Sequence, residues 1–341
     1  MRILKRIINR KNPFIIAEIS GNHNGSYSLL KKTVLAAKNC GVDAVKLQSY
    51  SPEDLTLNVK KKDFLIKNVE NKWRNKYLYE IYNKGQTLHE WHKKIFKYCN
   101  SIGIICFSSP FSEEAVDKLE EINCPAYKIA SLEITNLVLL KKISRTKKPV
   151  FISTGASNLK EIKKAVKIFN NNKNIVILRC TVDYPCKISD VNLNSLINLK
   201  NNFKTFEVGY SDHTVGSLAA TTAISMGASV IEKHFIYDKK IKSIDNFFSM
   251  DRFEMKNFVE RCKEVPKLLG NHEIKPTKNE LNSLKYRRSI FVSNTIHKGE
   301  TFTKKNIKVV RPATGTPLRF YDKILGSVAK KNYKIGDKIK F

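Results

Sequence analysis

The chain has 341 residues, enough for one large domain or a large and a small one with a well-filled core. No apolar run approaches the roughly 20 residues of a membrane-spanning helix, and the basic N-terminal stretch lacks the apolar segment and small-residue cleavage site of a secretory signal. The formal net charge of +31 comes mostly from lysines scattered among asparagines, with no arginine-rich arm, so solvated faces account for it better than a nucleic-acid partner does.

Taken in order, short runs of strand character recur, each followed by a helical or polar stretch. They are FIIAEIS (14–20), AVKLQSY (44–50), GIICFSS (103–109), AYKIAS (126–131), PVFISTG (149–155), NIVILRC (174–180), TFEVGYSDH (205–213) and SVIEKHF (229–235). Segments between them carry helix-period patterns, such as LLKKTVLAAKNCG with its closing glycine. Strand–helix alternation implies a parallel sheet, and eight units predict a closed (β/α)8 TIM barrel over 1–270. A doubly wound open sheet is the rival, but no G-x-G-x-x-G follows any of these strands. Residues 51–87 are too long and polar for a standard crossover and are expected to decorate the rim. A polar linker, 271–284, leads into 285–341, where short β-like runs broken by KGE and IGD turns predict a small all-β module. The seven cysteines form no C-x-x-C pair and several sit in apolar runs, which fits reduced core thiols in the cytoplasm rather than disulfides or a zinc ribbon.

In a barrel, chemistry gathers at the C-terminal ends of the strands, and the out-of-place polar residues fall there. The first run carries Glu18; the second, Lys46 and Gln48, two apart and so on one face; the third ends at Ser109. The fourth carries Lys128 and Ser131, the fifth Ser153, the seventh Ser211, Asp212 and His213, and the eighth Glu232 and His234, with Lys233 facing the other way. A core strand needs none of these, and burying them singly would cost several kcal/mol. Any one histidine has an ordinary reading as a hydrogen-bonded core or surface residue, and His89, His92, His272 and His297 keep it. His213 and His234 end neighbouring strands about 4.8 Å apart, within reach of one divalent ion. Lys46 and Lys128 could each be a Schiff-base nucleophile or an anion clamp; the serines among them favour the clamp, and with it a phosphorylated substrate.

The stretches IIAEISGNHNGS, AVKLQSY, CFSSPF, YKIAS, STGA, CTVDYP, GYSDHT and IEKHF, in this order, resemble the sialic acid synthase family, and the tail resembles its antifreeze-like (SAF) domain. EWHKKIF, KIASLEIT and IDNFFSM are more similar to the pseudaminic acid branch than to the N-acetylneuraminate branch, which usually has a G-P-D-H-type stretch in place of SIDNFFS. Val182 stands where some members have Asn, and Ala156 where Met is common. The resemblance implies condensation of phosphoenolpyruvate with an acetamido hexose, here 2,4-diacetamido-2,4,6-trideoxy-L-altrose, with N-acetylneuraminate or legionaminate synthesis as the alternative. It implies that His213 and His234 hold Mn²⁺ or Mg²⁺ and that Lys46, Lys128, Ser109, Ser131, Ser153 and Ser211 hold phosphoenolpyruvate. Tyr184 and Asp245 would contact the sugar, and Gln48 would be a further substrate-binding residue. Glu18 would stabilise positive charge at the reacting carbon, and proton transfer stays open among Glu18, Glu232 and a water at the metal. A homodimer is implied in which each SAF domain caps the partner's barrel and brings Arg311 to its site. Two other classes compete: a barrel lyase or isomerase on phosphorylated sugars, and a carbohydrate- or ice-binding protein carrying a dead barrel.

Overall fold

A computed structural model describes residues 3, 12–67, 69, 71–169, 172 and 174–340. Of the N-terminal stretch read above for a signal, residues 1, 2 and 4–11 lie outside the described residues. The chain divides into two compact units, Met1–Gly270 and Asn271–Phe341.

The first unit is a closed parallel barrel whose strands neighbour one another in chain order. They are β1 (Phe14–Glu18), β2 (Ala44–Ser49), β3 (Ile105–Pro110), β4 (Tyr127–Ile129), β5 (Val150–Ser153), β6 (Ile175–Cys180), β7 (Glu207–Asp212) and β8 (Val230–His234). Each is shorter than the run that predicts it, since residues at one or both ends of the run lie outside the strand. In the fourth run, Ser131 has already left the strand for a short 3-10 turn. The barrel closes by pairing β1 with β8, with Glu18 in register with both Lys46 and His234. Strand register thus puts a carboxylate, an ammonium group and an imidazole side by side.

The helices follow from local chemistry. Ser26 caps Tyr27–Asn39 by accepting from the Leu29 amide, and Leu30, Val34 and Ala37, at helical spacing, are buried against the barrel. Burying a Leu or Val side chain of this kind stabilises the fold by about 1.5–3 kcal/mol. Several lysines also staple neighbouring elements: Lys263 Nζ donates to the Gly41 carbonyl (2.9 Å), and Lys200 Nζ to those of Met226 and Gly227 (3.4 and 3.3 Å). Part of the lysine excess therefore satisfies carbonyls left open at helix ends. Gly209, inside β7, is required by close approach: a Cβ there would lie 2.4 Å from the Val230 carbonyl oxygen. Its absence lets β7 and β8 close together.

The second unit pairs β9 (Ser289–Val292) with β10 (Ile307–Val310) in antiparallel fashion around a small core that includes Ile290, Phe302 and Tyr333. The stretch 271–284 is not wholly irregular, since Thr277 caps a single helical turn, Lys278–Leu281. Among the described residues, no helix is long and apolar enough to cross a membrane. All seven cysteines are unpaired and buried.

Candidate active site

At the C-terminal mouth of the barrel lies a cavity of about 370 Å³. Its floor is supplied by the strand ends: Glu18 from β1, Lys46 and Gln48 from β2, Lys128 from β4, Ser153 from β5, Ser211 from β7, and Glu232 and His234 from β8. Loops immediately beyond the strands add Ser131, Tyr184, His213 and Asp245. Alternation along each strand explains the convergence, since residues two apart share a face.

The charges interlock. Nζ of Lys46 is 2.6 Å from Glu18 Oε2 and 3.3 Å from Glu232 Oε1, and Nζ of Lys128 is 3.3 Å from that same Glu232 oxygen. Ser211 Oγ donates to it as well, at 3.0 Å. Burial alone would raise the Glu232 pKa, but Lys128 and Lys46 draw it down to about 2. For Lys46 the balance runs the other way: burial lowers it to about 7 although Glu232 opposes. The contact between Lys46 and Glu18 is an ion pair outside hydrogen-bond geometry, so neither Glu18 oxygen has a hydrogen-bond partner. Ser153 Oγ, Glu232 Oε2 and His234 Nδ1 are likewise buried and unbonded. Among the described residues, every buried side-chain atom in this condition except Arg179 Nε belongs to a residue lining the cavity. Native interiors leave few such groups, so their concentration marks a place built for a polar ligand.

The imidazoles of His213 and His234 have ring centres 5.3 Å apart. His213 Nδ1 lies 2.7 Å from the Thr181 carbonyl oxygen; in the neutral ring, donating there leaves the lone pair on Nε2. Burial favours that neutral ring, although Cys180 and the Thr181 carbonyl outweigh it and raise the His213 pKa. Burial, helped by the neighbouring His213, holds His234 well below the ordinary histidine pKa, so its lone pair is also available. These two nitrogens fit one divalent ion. No cluster of three or more ligating side chains occurs among the described residues, so further coordination would fall to substrate oxygens and water, as in an open catalytic site.

Two expected site residues are not among those that line this cavity. Ser109 points to the same side as Gln48, with which it is in register, but its hydroxyl donates to the Lys128 carbonyl (3.0 Å) and it does not line the cavity. It fixes the strand that carries Lys128 instead. Arg311 belongs to the second unit, where it is exposed. Lys233 points out of the barrel, as alternation requires, into a buried pair with Asp212 (2.8 Å). His92 is a satisfied interior histidine, its Nε2 2.6 Å from Ser49 Oγ and its Nδ1 3.2 Å from the Leu88 carbonyl.

The larger correction concerns 51–87. This segment does not merely decorate the rim; it forms the cavity's upper wall through Leu55, Ile66, Trp73, Leu78, Ile81 and Tyr82. Trp73 is the hub, with its ring 5.6 Å from Tyr184, 5.7 Å from Phe247 and 6.0 Å from Phe248. Tyr184 in turn packs on His213 at 4.2 Å, and Phe248 on His234 at 4.8 Å. Aromatic rings thus enclose the imidazole pair. The available signal was composition: a tryptophan and several large apolar residues in an otherwise polar insertion. Cys180, at the end of β6, also lines the cavity, with its thiol 3.9 Å from His213 Nδ1.

Residues 33–274 match the NeuB family, and residues 287–340 match the SAF domain. The chain belongs to the NeuB family. It is 43% identical over 332 residues to the pseudaminic acid synthase of Campylobacter jejuni subsp. jejuni serotype O:2, covering 97% of this chain and 96% of that one. The N,N'-diacetyllegionaminic acid synthase of the same bacterium is 36% identical over 330 residues, with 95% and 98% covered. The crystal structure of the N-acetylneuraminic acid synthetase of Leptospira borgpetersenii superposes with a TM-score of 0.70 at 29% identity, covering 81% of this chain and 92% of that chain. The barrel followed by a SAF domain, expected from the sequence, is the architecture of this NeuB-family enzyme.

Proposed function

We propose that this enzyme condenses phosphoenolpyruvate with 2,4-diacetamido-2,4,6-trideoxy-L-altrose, giving pseudaminic acid and phosphate. The observation that carries the reading is the alternating buried quartet, Glu18, Lys46, Glu232 and Lys128, set beside a pair of available imidazoles. C3 of phosphoenolpyruvate bonds to the aldehyde carbon of the sugar, and the resulting alkoxide takes a proton. A water oxygen bonds to C2 and releases a proton. The bond from C2 to the phosphate oxygen then breaks as the C2 hydroxyl loses its proton and becomes the ketone, and phosphate leaves with the bond's electron pair and takes up that proton.

Lys46 and Lys128 grip the substrate's carboxylate and phosphate, and Ser131, Ser153 and Ser211 supply hydroxyl donors. Glu232, kept ionised by both lysines, fixes their positions. Glu18, with no hydrogen bond to either oxygen, faces the positive charge that develops at C2 and is placed to receive the proton of the attacking water. Gln48, Tyr184 and Asp245 meet the sugar. The two carboxylates already balance the two ammonium groups, so the charge needed to hold so anionic a substrate must come from elsewhere. Mn²⁺ or Mg²⁺ held by His213 and His234 would supply it and polarise the aldehyde oxygen. Seven unpaired cysteines and a glycolytic substrate are consistent with action in the cytoplasm. The resemblance to the family also supports a homodimer in which Arg311 reaches the partner's sugar.

The test supplies purified protein with phosphoenolpyruvate, Mn²⁺ and a panel of acetamido hexoses, then measures phosphate and product mass. Phosphate should appear only with a sugar present, and fastest with the trideoxy-altrose. Preference for N-acetylmannosamine, or for the legionaminate precursor, would move the enzyme to a sister branch. Activity with no sugar of the panel would refute the synthase reading.

A further inference from the structure

The cavity is divided by chemistry. Charged and hydroxyl groups on the strand ends make the floor, whereas the wall opposite, built from the 51–87 insertion and the loop after β8, is largely aliphatic and aromatic, with Asp245 and the Tyr82 hydroxyl as its polar groups. An enzyme for two highly polar substrates has no general use for such a wall, because each hydroxyl pressed against it would lose its water without a partner.

One residue of that wall is held more tightly than lining alone requires. Ile244 is partly buried, and its Cδ1 fills a notch between two glycines: it lies 2.7 Å from where a Cβ of Gly21 would stand and 2.4 Å from that of Gly85. The notch exists because both positions lack a side chain. The backbone around Ile244 is pinned too. Trp73 Nε1 donates to its carbonyl (3.0 Å), Asp245 Oδ2 accepts from the Gly21 amide (3.3 Å), and Ser243 Oγ donates to Asn22 Oδ1 (2.6 Å). Side chain and main chain are therefore fixed against the 3-10 turn that follows β1, Ser20–His23, and against the insertion at once.

The geometry points to Ile244 as the specificity-determining residue that reads the far end of the sugar, accepting a 6-deoxy carbon and rejecting a 6-hydroxyl. The inference rests on the synthase reading above. The aldehyde end of the sugar is committed to the floor, where the imidazoles and lysines are, so the chain's other end meets the wall. Gln48, Tyr50 and Asp245 remain as polar partners for the acetamido groups, and Ile244 presents none. An apolar pocket rejects an added hydroxyl by about 10- to 100-fold rather than absolutely.

The experiment compares kcat/KM for 2,4-diacetamido-2,4,6-trideoxy-L-altrose and for its 6-hydroxy counterpart, 2,4-diacetamido-2,4-dideoxy-L-altrose, at saturating phosphoenolpyruvate. The wild type should favour the 6-deoxy sugar by at least about tenfold. Ile244→Ala, which empties the notch, should narrow that ratio severalfold or more while KM for phosphoenolpyruvate stays unchanged. Ile244→Val, which shortens the side chain by one methylene and keeps the fold, should narrow it less. A wild-type ratio near one, or a ratio unchanged in the folded variants while both sugars slow equally, would overturn the assignment. Phosphate release with neither sugar would overturn the synthase reading and this inference together, which separates the two failures.

Discussion

Replacing Lys233 with methionine tests how the loop that carries His213 is held. Lys233 is 1% exposed, faces away from the cavity, and lies between β8 and the helix Arg252–Leu269, with its Nζ 5.9 Å from the centre of the Phe258 ring. Its ammonium group is 2.8 Å from Asp212 Oδ2 and also donates to the Thr214 carbonyl. Asp212 Oδ1 accepts from the Thr214 amide (2.9 Å), the Thr214 hydroxyl (2.8 Å) and the Tyr210 hydroxyl (3.3 Å). The network thus grips the residues on both sides of His213. Methionine fills nearly the same volume but leaves the Asp212 charge buried and unpaired, a change that costs about 3–5 kcal/mol. At roughly 2–4 °C per kcal/mol for a domain of this size, the melting temperature should fall by about 6–20 °C. Thermal melts would measure this, and calorimetric titration with Mn²⁺ would show weakened binding because His213 rides on the loosened loop. Asp212→Asn combined with Lys233→Met should lose less than the sum of the single losses, since the pair is removed together. A Lys233→Met protein melting within a degree of wild type, with unchanged Mn²⁺ affinity, would refute the reasoning.

EDTA should abolish turnover and Mn²⁺ restore it, while His234→Ala should lose calorimetric Mn²⁺ binding yet keep its circular dichroism spectrum; full activity in metal-free enzyme would exclude the role assigned to the pair. Burial, aided by the neighbouring His92, lowers His23 to about 4, and burial likewise lowers His92 to about 4, against an ordinary value of 6.5. The unfolded chain then binds protons that the native state refuses, so stability is full above pH 6.5 and falls as pH drops toward 4, by up to about 3 kcal/mol per imidazole. Urea midpoints at pH 7.5 and 5 should differ accordingly, and His92→Gln should flatten the difference. Mixing Arg311→Ala with His234→Ala under subunit exchange should restore a fraction of wild-type activity if Arg311 completes its partner's site; no recovery despite proven exchange would place its action within its own chain or remove it.

What could be read from the sequence follows from which features are periodic. Alternation puts Glu232 and His234 on one face and Lys233 on the other, and eight spaced runs imply closure, so the floor of the site needs no structure to be assembled. Ser109 obeys the same alternation and still misses the cavity, because its short hydroxyl bonds to the Lys128 carbonyl on the neighbouring strand. The wall joins Leu78, at the start of the short helix Leu78–Gly85, to Ile66, Trp73 and Ile244, which lie outside helices and strands, where no period links sequence position to direction. Its residues are brought together by single contacts, such as the Trp73 indole on the Ile244 carbonyl and an isoleucine tip between two glycines, that are 171 and 223 residues apart or otherwise remote in sequence.

That difference has a functional consequence. The groups assigned to bond making stand on strand ends whose register is set by the barrel, where a shift of one residue would turn every side chain to the other face. The wall assigned to sugar choice hangs on loops joined to the barrel by a few hydrogen bonds and ring contacts. Substitutions there can change which hexose fits without moving Glu18, Lys46, Lys128 or Glu232, since none of these four bonds to a wall residue. The aromatic contacts limit this independence at one place. Tyr184 and Phe248 touch both the Trp73 cluster and the imidazoles, so changes to Trp73 should disturb metal binding as well as sugar choice, whereas changes to Ile244 should disturb sugar choice alone. Chemistry and selectivity are separable in this barrel wherever the wall does not lean on His213 and His234.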